Sequence, residues 1–165
     1  MAKHNSQNRP FLPSVLDRLL DDAPEVSKEA PMSRNQVLRE LKESVRRDLE
    51  TLLNTRIRNL PIAGAGKELK QSLANYGLPD ISGTSLGSSK EREDFCRQVQ
   101  ATIQQYEPRF KAAKVQLLSN AEPLDRTLRF RIDALLHADP APEPIVFDSV
   151  FQPTNEHFEV KGTNG

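Results

Sequence analysis

The residues best equipped for chemistry in this chain stand together at Glu107-Pro108-Arg109, inside the pentapeptide YEPRF. Proline cannot continue a helix, because it lacks an N–H and its ring meets the carbonyl of Gln104. Arg109 follows with five donors in a planar fork. Opposite charges fixed around a rigid corner suit the docking of a protein or nucleic-acid partner. The plainer alternative is a helix stop, with Glu107 solvated and Arg109 covering the last helical carbonyls. Other chemistries find less support. His4, His137 and His157 have no metal-ligand spacing with each other, with Cys96 or with paired carboxylates, which argues against zinc. Cys96 lies mid-helix without a clear basic partner and reads as a packing residue. No serine occupies a nucleophile elbow. Glu107 as a glycosidase acid needs a second positioned carboxylate and a sugar groove. Asp80 and Asp94 qualify for that role by composition only. The glycines of Ala63-Gly64-Ala65-Gly66-Lys67 miss P-loop spacing and follow no buried strand, so this stretch is expected to be a connection. No enzyme, cofactor or metal is therefore expected.

Composition narrows the remaining classes. The 165 residues contain 23 basic and 23 acidic side chains, so no net field draws the chain to nucleic acid or anionic lipid. One cysteine forbids an internal disulfide and fits a reducing compartment. A polar start and no long apolar run predict neither a secretory signal nor a membrane span, and hence a cytosolic protein. Few aromatics and no tryptophan leave little to line a small-molecule pocket.

The elements that must position the corner follow from periodicity. Residues 1–32 carry prolines at 10, 13, 24 and 31 and predict a flexible segment with one short amphipathic helix. There Ser14 caps, Asp17 favours the helix N-terminus, and Val15, Leu16, Leu19 and Leu20 share a face. A helix this short folds only against something else, either its own domain or the groove of a partner. Residues 33–165 form a single domain. Ser33 and Gln36 make a capping box, and Val37, Leu38, Leu41, Val45, Leu49, Leu52 and Leu53 form an apolar stripe running to about Arg56 or Arg58. Asp48 falls within that stripe, at its edge or paired with an arginine. A helical piece over Glu68–Tyr76 should end at Gly77 and Pro79. Ser88 and Glu91 cap a second long helix whose stripe is Phe95, Val99, Ile103 and Tyr106. Beyond the corner the period changes to two. Lys114–Leu118 and Thr127–Leu135 predict an antiparallel hairpin, with Leu128, Phe130, Ile132 and Ala134 inward. Pro140, Pro142 and Pro144 form a stiff connector before strands at Ile145–Phe151 and His157–Val160. The fold class is α+β, with N-terminal helices packed on one face of a small, mostly antiparallel sheet from the C-terminal half.

Four stretches taken in order, PSVLDRLLDD from Pro13, ESVRRDLETLLNTR from Glu43, SLANYGLPDISG from Ser72 and YEPRF from Tyr106, carry a family resemblance. The chain resembles the TssE family of type VI secretion baseplate subunits, grouped with contractile-phage baseplate wedge proteins of the lysozyme-like family. The resemblance implies a structural role at the cytoplasmic face of the inner membrane. Glu107, Pro108 and Arg109, with Tyr106 beside them, would contact the wedge subunits TssF and TssG, and TssK is a further candidate partner. Leu16, Asp17, Leu19 and Leu20 would dock a second partner. An open sheet edge would receive the sheath subunits TssB and TssC as the template for polymerisation. Neither nucleic acid nor membrane insertion is implied. A soluble anti-adaptor-like regulator of the same fold is the alternative. On this reading, Arg109→Ala abolishes baseplate association and leaves the domain folded.

Overall fold

A computed structural model describes Leu19 and residues 33–57, 72–80, 86–119, 127–137 and 141–162. Leu16, Asp17 and Leu20 lie outside the described residues, as does the Ala63–Lys67 stretch, while Leu19 is helical and 75% exposed.

Helix α1 spans Arg34–Asn54 and opens with the expected box: Gln36 N donates to Ser33 Oγ at 3.3 Å, and Ser33 N donates to Gln36 Oε1 at 2.9 Å. It ends two to four residues earlier than its apolar stripe predicts. The physical reason is competition from a neighbouring segment. Leu78 N donates to Thr55 O at 2.8 Å and Ile57 N donates to Leu78 O at 2.9 Å, drawing the chain into a parallel bridge. Of the expected Glu68–Tyr76 helix, residues 68–71 lie outside the described ones. The rest is a 310 turn, Leu73–Asn75, capped by Ser72. Gly77 follows with φ +110°, and an added Cβ there would lie 2.3 Å from Thr55 O. Helix α2, Ser89–Tyr106, carries the second capping box at Ser88 and Glu91.

Strands β1 (Phe110–Leu118), β2 (Leu128–Leu136), β3 (Glu143–Gln152) and β4 (His157–Gly162) form one antiparallel sheet in the order β1-β2-β3-β4. β1 begins at the corner itself, four residues before the expected start. Pro144 is part of β3 opposite Leu135 and does not extend the connector. The alternation in β2 is as expected: Leu128, Phe130, Ile132 and Ala134 are buried, and Arg129 and Arg131 are exposed. The core lies between this face and the helices, with Phe95 of α2 stacked among Phe130, Phe151 and Phe158.

Each helix presents two adjacent stripes. Val45, Leu49 and Leu53 of α1, and Phe95, Val99 and Ile103 of α2, are buried in the core. The residues one step further along meet the sheet margins. On α2, Gln104 Nε2 donates to Ala113 O at 2.8 Å, Gln100 Oε1 accepts from Val115 N at 2.9 Å, and Cys96 Sγ donates to Val115 O at 3.3 Å. On α1, Arg46 Nη1 donates to Val160 O at 3.1 Å, and Asn54 bonds both backbone groups of Phe158. The margins expected to be open are thus partly occupied by the chain's own side chains.

Candidate functional site

The corner takes its shape from Pro108. Helix α2 stops at Tyr106, the Glu107 N–H still donates to Ile103 O at 2.9 Å, and Phe110 N donates to Glu107 O at 3.2 Å, which closes a tight turn. Glu107 is only 5% exposed, so the solvated carboxylate of the plainer expectation is not what forms. A buried carboxylate needs partners. Arg109 supplies them: its backbone N donates to Glu107 Oε1 at 3.1 Å, its Nε to Oε1 at 2.7 Å, and its Nη2 to Oε2 at 2.5 Å.

The same guanidinium reaches across to α1. Nη2 donates to Asp48 Oδ2 at 2.6 Å and Nη1 to Ser44 Oγ at 3.1 Å. Ser44 and Asp48 lie four residues apart and therefore share a helix face. Arg109 thus binds the end of α2 to the middle of α1. Burial pulls its pKa down, but the hydrogen bonds and charges of Glu107 and Asp48 act more strongly, and the net direction is upward. Beside this triad, Tyr76 and Tyr106 meet edge to face at 5.2 Å. Burial raises the Tyr76 pKa, and the Asp48 and Glu107 carboxylates add to it against Arg109.

Of the sequence-predicted site residues, Tyr106, Glu107, Pro108 and Arg109 come together: Pro108 is exposed, Tyr106 and Arg109 are half-buried, and Glu107 is buried. Leu19 has no described contact with them. The structure adds Ser44, Asp48 and Tyr76, together with Leu73, which is 81% exposed on the neighbouring turn. The sequence signal for Asp48 was its position inside an apolar stripe. Ser44 and Tyr76 carried no comparable signal.

Asp48 shares the Arg109 guanidinium with Glu107, Nη2 donating to a carboxylate oxygen of each. Both oxygens of Glu107 accept from Arg109, so the guanidinium stands where a sugar oxygen would have to approach. Asp94 pairs with Arg97. Among the described residues, no group of three or more His, Cys, Asp or Glu side chains is placed to hold a metal, and no helix is long and apolar enough to cross a membrane. Burial raises the Cys96 thiol pKa, which disfavours the nucleophilic thiolate.

Residues 39–141 match the family model described as baseplate wedge protein gp25. This chain belongs to that family. The matched residues contain Ser44, Asp48, Tyr76 and the whole Glu107–Arg109 corner, and they stop before β3. The anti-adapter protein IraD of Salmonella arizonae is 31% identical over 100 residues, covering 61% of this chain and 72% of that protein. A chain from the solved baseplate complex of the type VI secretion system is similar at a TM-score of 0.47 and 21% identity, covering 72% of this chain and 96% of that one.

Proposed function

We propose that this wedge-family chain is a structural subunit of a type VI secretion baseplate, docking on TssF and TssG through its Glu-Pro-Arg corner and templating the TssB/TssC sheath through its sheet. The observation carrying the reading is that the family match spans a corner made rigid from within. Glu107 is saturated by Arg109, and Pro108 is held outward between them. A surface already fixed in its bound shape loses little freedom on association. Arg109 and Asp48 keep 22% and 41% of their side chains exposed, so part of the ion pair stays within a partner's reach. Water exclusion by that partner would strengthen the charge-assisted bonds. Leu73 extends the surface with an apolar contact, and Leu19 offers another on the segment that would carry Leu16, Asp17 and Leu20 to a second subunit such as TssK. The work of the chain is assembly at the cytoplasmic face of the inner membrane, without catalysis.

Co-purification with TssF and TssG tests the docking. Leu73→Asp changes only an exposed side chain, and Pro108→Glu also frees the backbone of the corner while leaving the core stripes intact, so both variants should keep the fold and fail to recover the wedge. Wedge recovery at the unmodified level by both variants would refute the corner as the interface. A soluble regulator of one partner would leave TssF, TssG, TssB and TssC all unbound to the unmodified chain.

A further inference from the structure

We propose that Lys111, set out of the sheet ladder by a β-bulge beside the corner, is a specificity contact for the wedge, and that its ligand is an aspartate or glutamate side chain of the partner subunit. This carries the docking reading to a stated partner chemistry and rests on that reading for the identity of the partner.

The bulge lies directly after the corner. Phe110 stands opposite Leu136 and Ala112 opposite Leu135, so Lys111 has no cross-strand partner. Burial shows the same break in alternation. Phe110 and Ala113 are buried, and Lys111 and Ala112 between them are both exposed. In a regular strand, residues three apart point to opposite faces. The extra residue lets both Phe110 and Ala113 reach the core, with the corner attached to one of them. That correction of phase sets no requirement on the side chain at 111, which faces solvent.

A lysine in an edge bulge commonly protects the edge from pairing with other chains. At β1 that task is already filled by α2. Gln104 Nε2 donates to Ala113 O, Gln100 Oε1 accepts from Val115 N, and Cys96 Sγ donates to Val115 O. These bonds also fix the bulge from its far side. On its near side Phe110 N donates to Glu107 O at 3.2 Å and His137 N to Arg109 O at 2.8 Å. The backbone on both sides of Lys111 is thus held before any partner arrives, which lowers the cost of association.

The corner's own charges are engaged within the chain. Both oxygens of Glu107 accept from Arg109, and Asp48 shares that guanidinium. Among the described residues, no side chain pairs with the Lys111 ammonium. Its Cα lies three residues beyond Pro108, at most about 11 Å away along the chain. A standard interface patch of about 800 Å², roughly 30 Å across, that covers Pro108 therefore takes in Lys111. A covered ammonium without an anion is costly. A carboxylate answers both its charge and its donors.

The test is binding of the purified TssF–TssG complex to the immobilised chain at about 0.1 M and about 1 M salt, where charges are screened over about 10 Å and about 3 Å. Lys111→Glu sets like charges against each other and should weaken binding about tenfold at the lower salt, mainly through a slower association rate. The difference should shrink at the higher salt. Lys111→Arg should bind as the unmodified chain does. So should Lys90→Glu, which reverses an exposed charge at the other end of α2, about 24 Å along the helix from Tyr106. All four chains should melt together, because both positions are exposed. Lys111→Glu keeps a charge on the edge, so a purely edge-protecting lysine would show no loss. Equal binding by Lys111→Glu and the unmodified chain, an equal loss in Lys90→Glu, or a loss undiminished at the higher salt would overturn the inference and leave the wedge reading standing. Failure of the unmodified chain to bind would overturn both.

Discussion

Arg109→Ala is expected to be a severe folding mutation before it is a docking mutation. The guanidinium makes four side-chain hydrogen bonds: two to Glu107 at 2.7 and 2.5 Å, one to Asp48 at 2.6 Å and one to Ser44 at 3.1 Å. Truncation strands a carboxylate that is 5% exposed, and removing one partner of such a pair costs about 3–5 kcal/mol. The Asp48 bond adds little, roughly 0–1 kcal/mol, because that side chain is 41% exposed and water can replace the contact. Against a typical domain stability of about 5–15 kcal/mol, the loss brings the variant close to unfolding. Urea unfolding followed by circular dichroism measures it as a fall in midpoint at unchanged slope. The pairing argument makes a second demand. Glu107→Leu combined with Arg109→Met removes both charges, and should recover most of the stability lost by Arg109→Ala. A loss below about 1 kcal/mol for Arg109→Ala, or a double variant less stable than the single, would refute the claim that a stranded charge sets the cost. The expectation that Arg109→Ala leaves the domain folded treated the corner as a surface feature. Ser44 and Asp48 make it an internal staple, so Pro108→Glu is the cleaner probe of docking.

Two further perturbations test the surroundings of the corner. Gly77→Ala places a Cβ 2.3 Å from a backbone oxygen at φ +110°; it should cost roughly 1–3 kcal/mol and speed amide exchange at Ile57 and Leu78, and a variant melting with the unmodified chain would contradict this. Tyr76 has a pKa raised by burial and then by Asp48 and Glu107, so its contribution to stability is complete below the unfolded value of about 10. Above that pH the unfolded chain releases its proton first, and the contribution is lost as pH rises through the folded pKa. Tyr76→Phe should make the alkaline decline in unfolding midpoint shallower, leaving the share of Tyr106, whose pKa burial also raises.

What could be read from residue order alone was local. Both capping boxes, the stripes of α1 and α2, the stop at Pro108 and the alternation of β2 are set by neighbours within about four residues, where helix and strand geometry fixes who meets whom. The boundaries slipped where a distant segment competed, as Leu78 did for the backbone just after α1. The corner was legible as a set of residues but not as an arrangement. Glu107 and Arg109 are adjacent in sequence, yet Ser44 and Asp48 arrive from 65 and 61 residues away, and only packing of α1 beside α2 makes them partners. The partial occupation of the sheet margins was less visible still. Arg46, Glu50 and Asn54, like Cys96, Gln100 and Gln104, follow the core stripes at helical spacing and look like ordinary boundary residues. The sequence determined the helices, the strands and the faces they bury. The tertiary structure decided that a charged corner became a buried staple and that a helix-terminal asparagine bonded the backbone of β4. Hydrogen bonds between distant segments depend on where packing sets the backbones, and no local pattern carries that information.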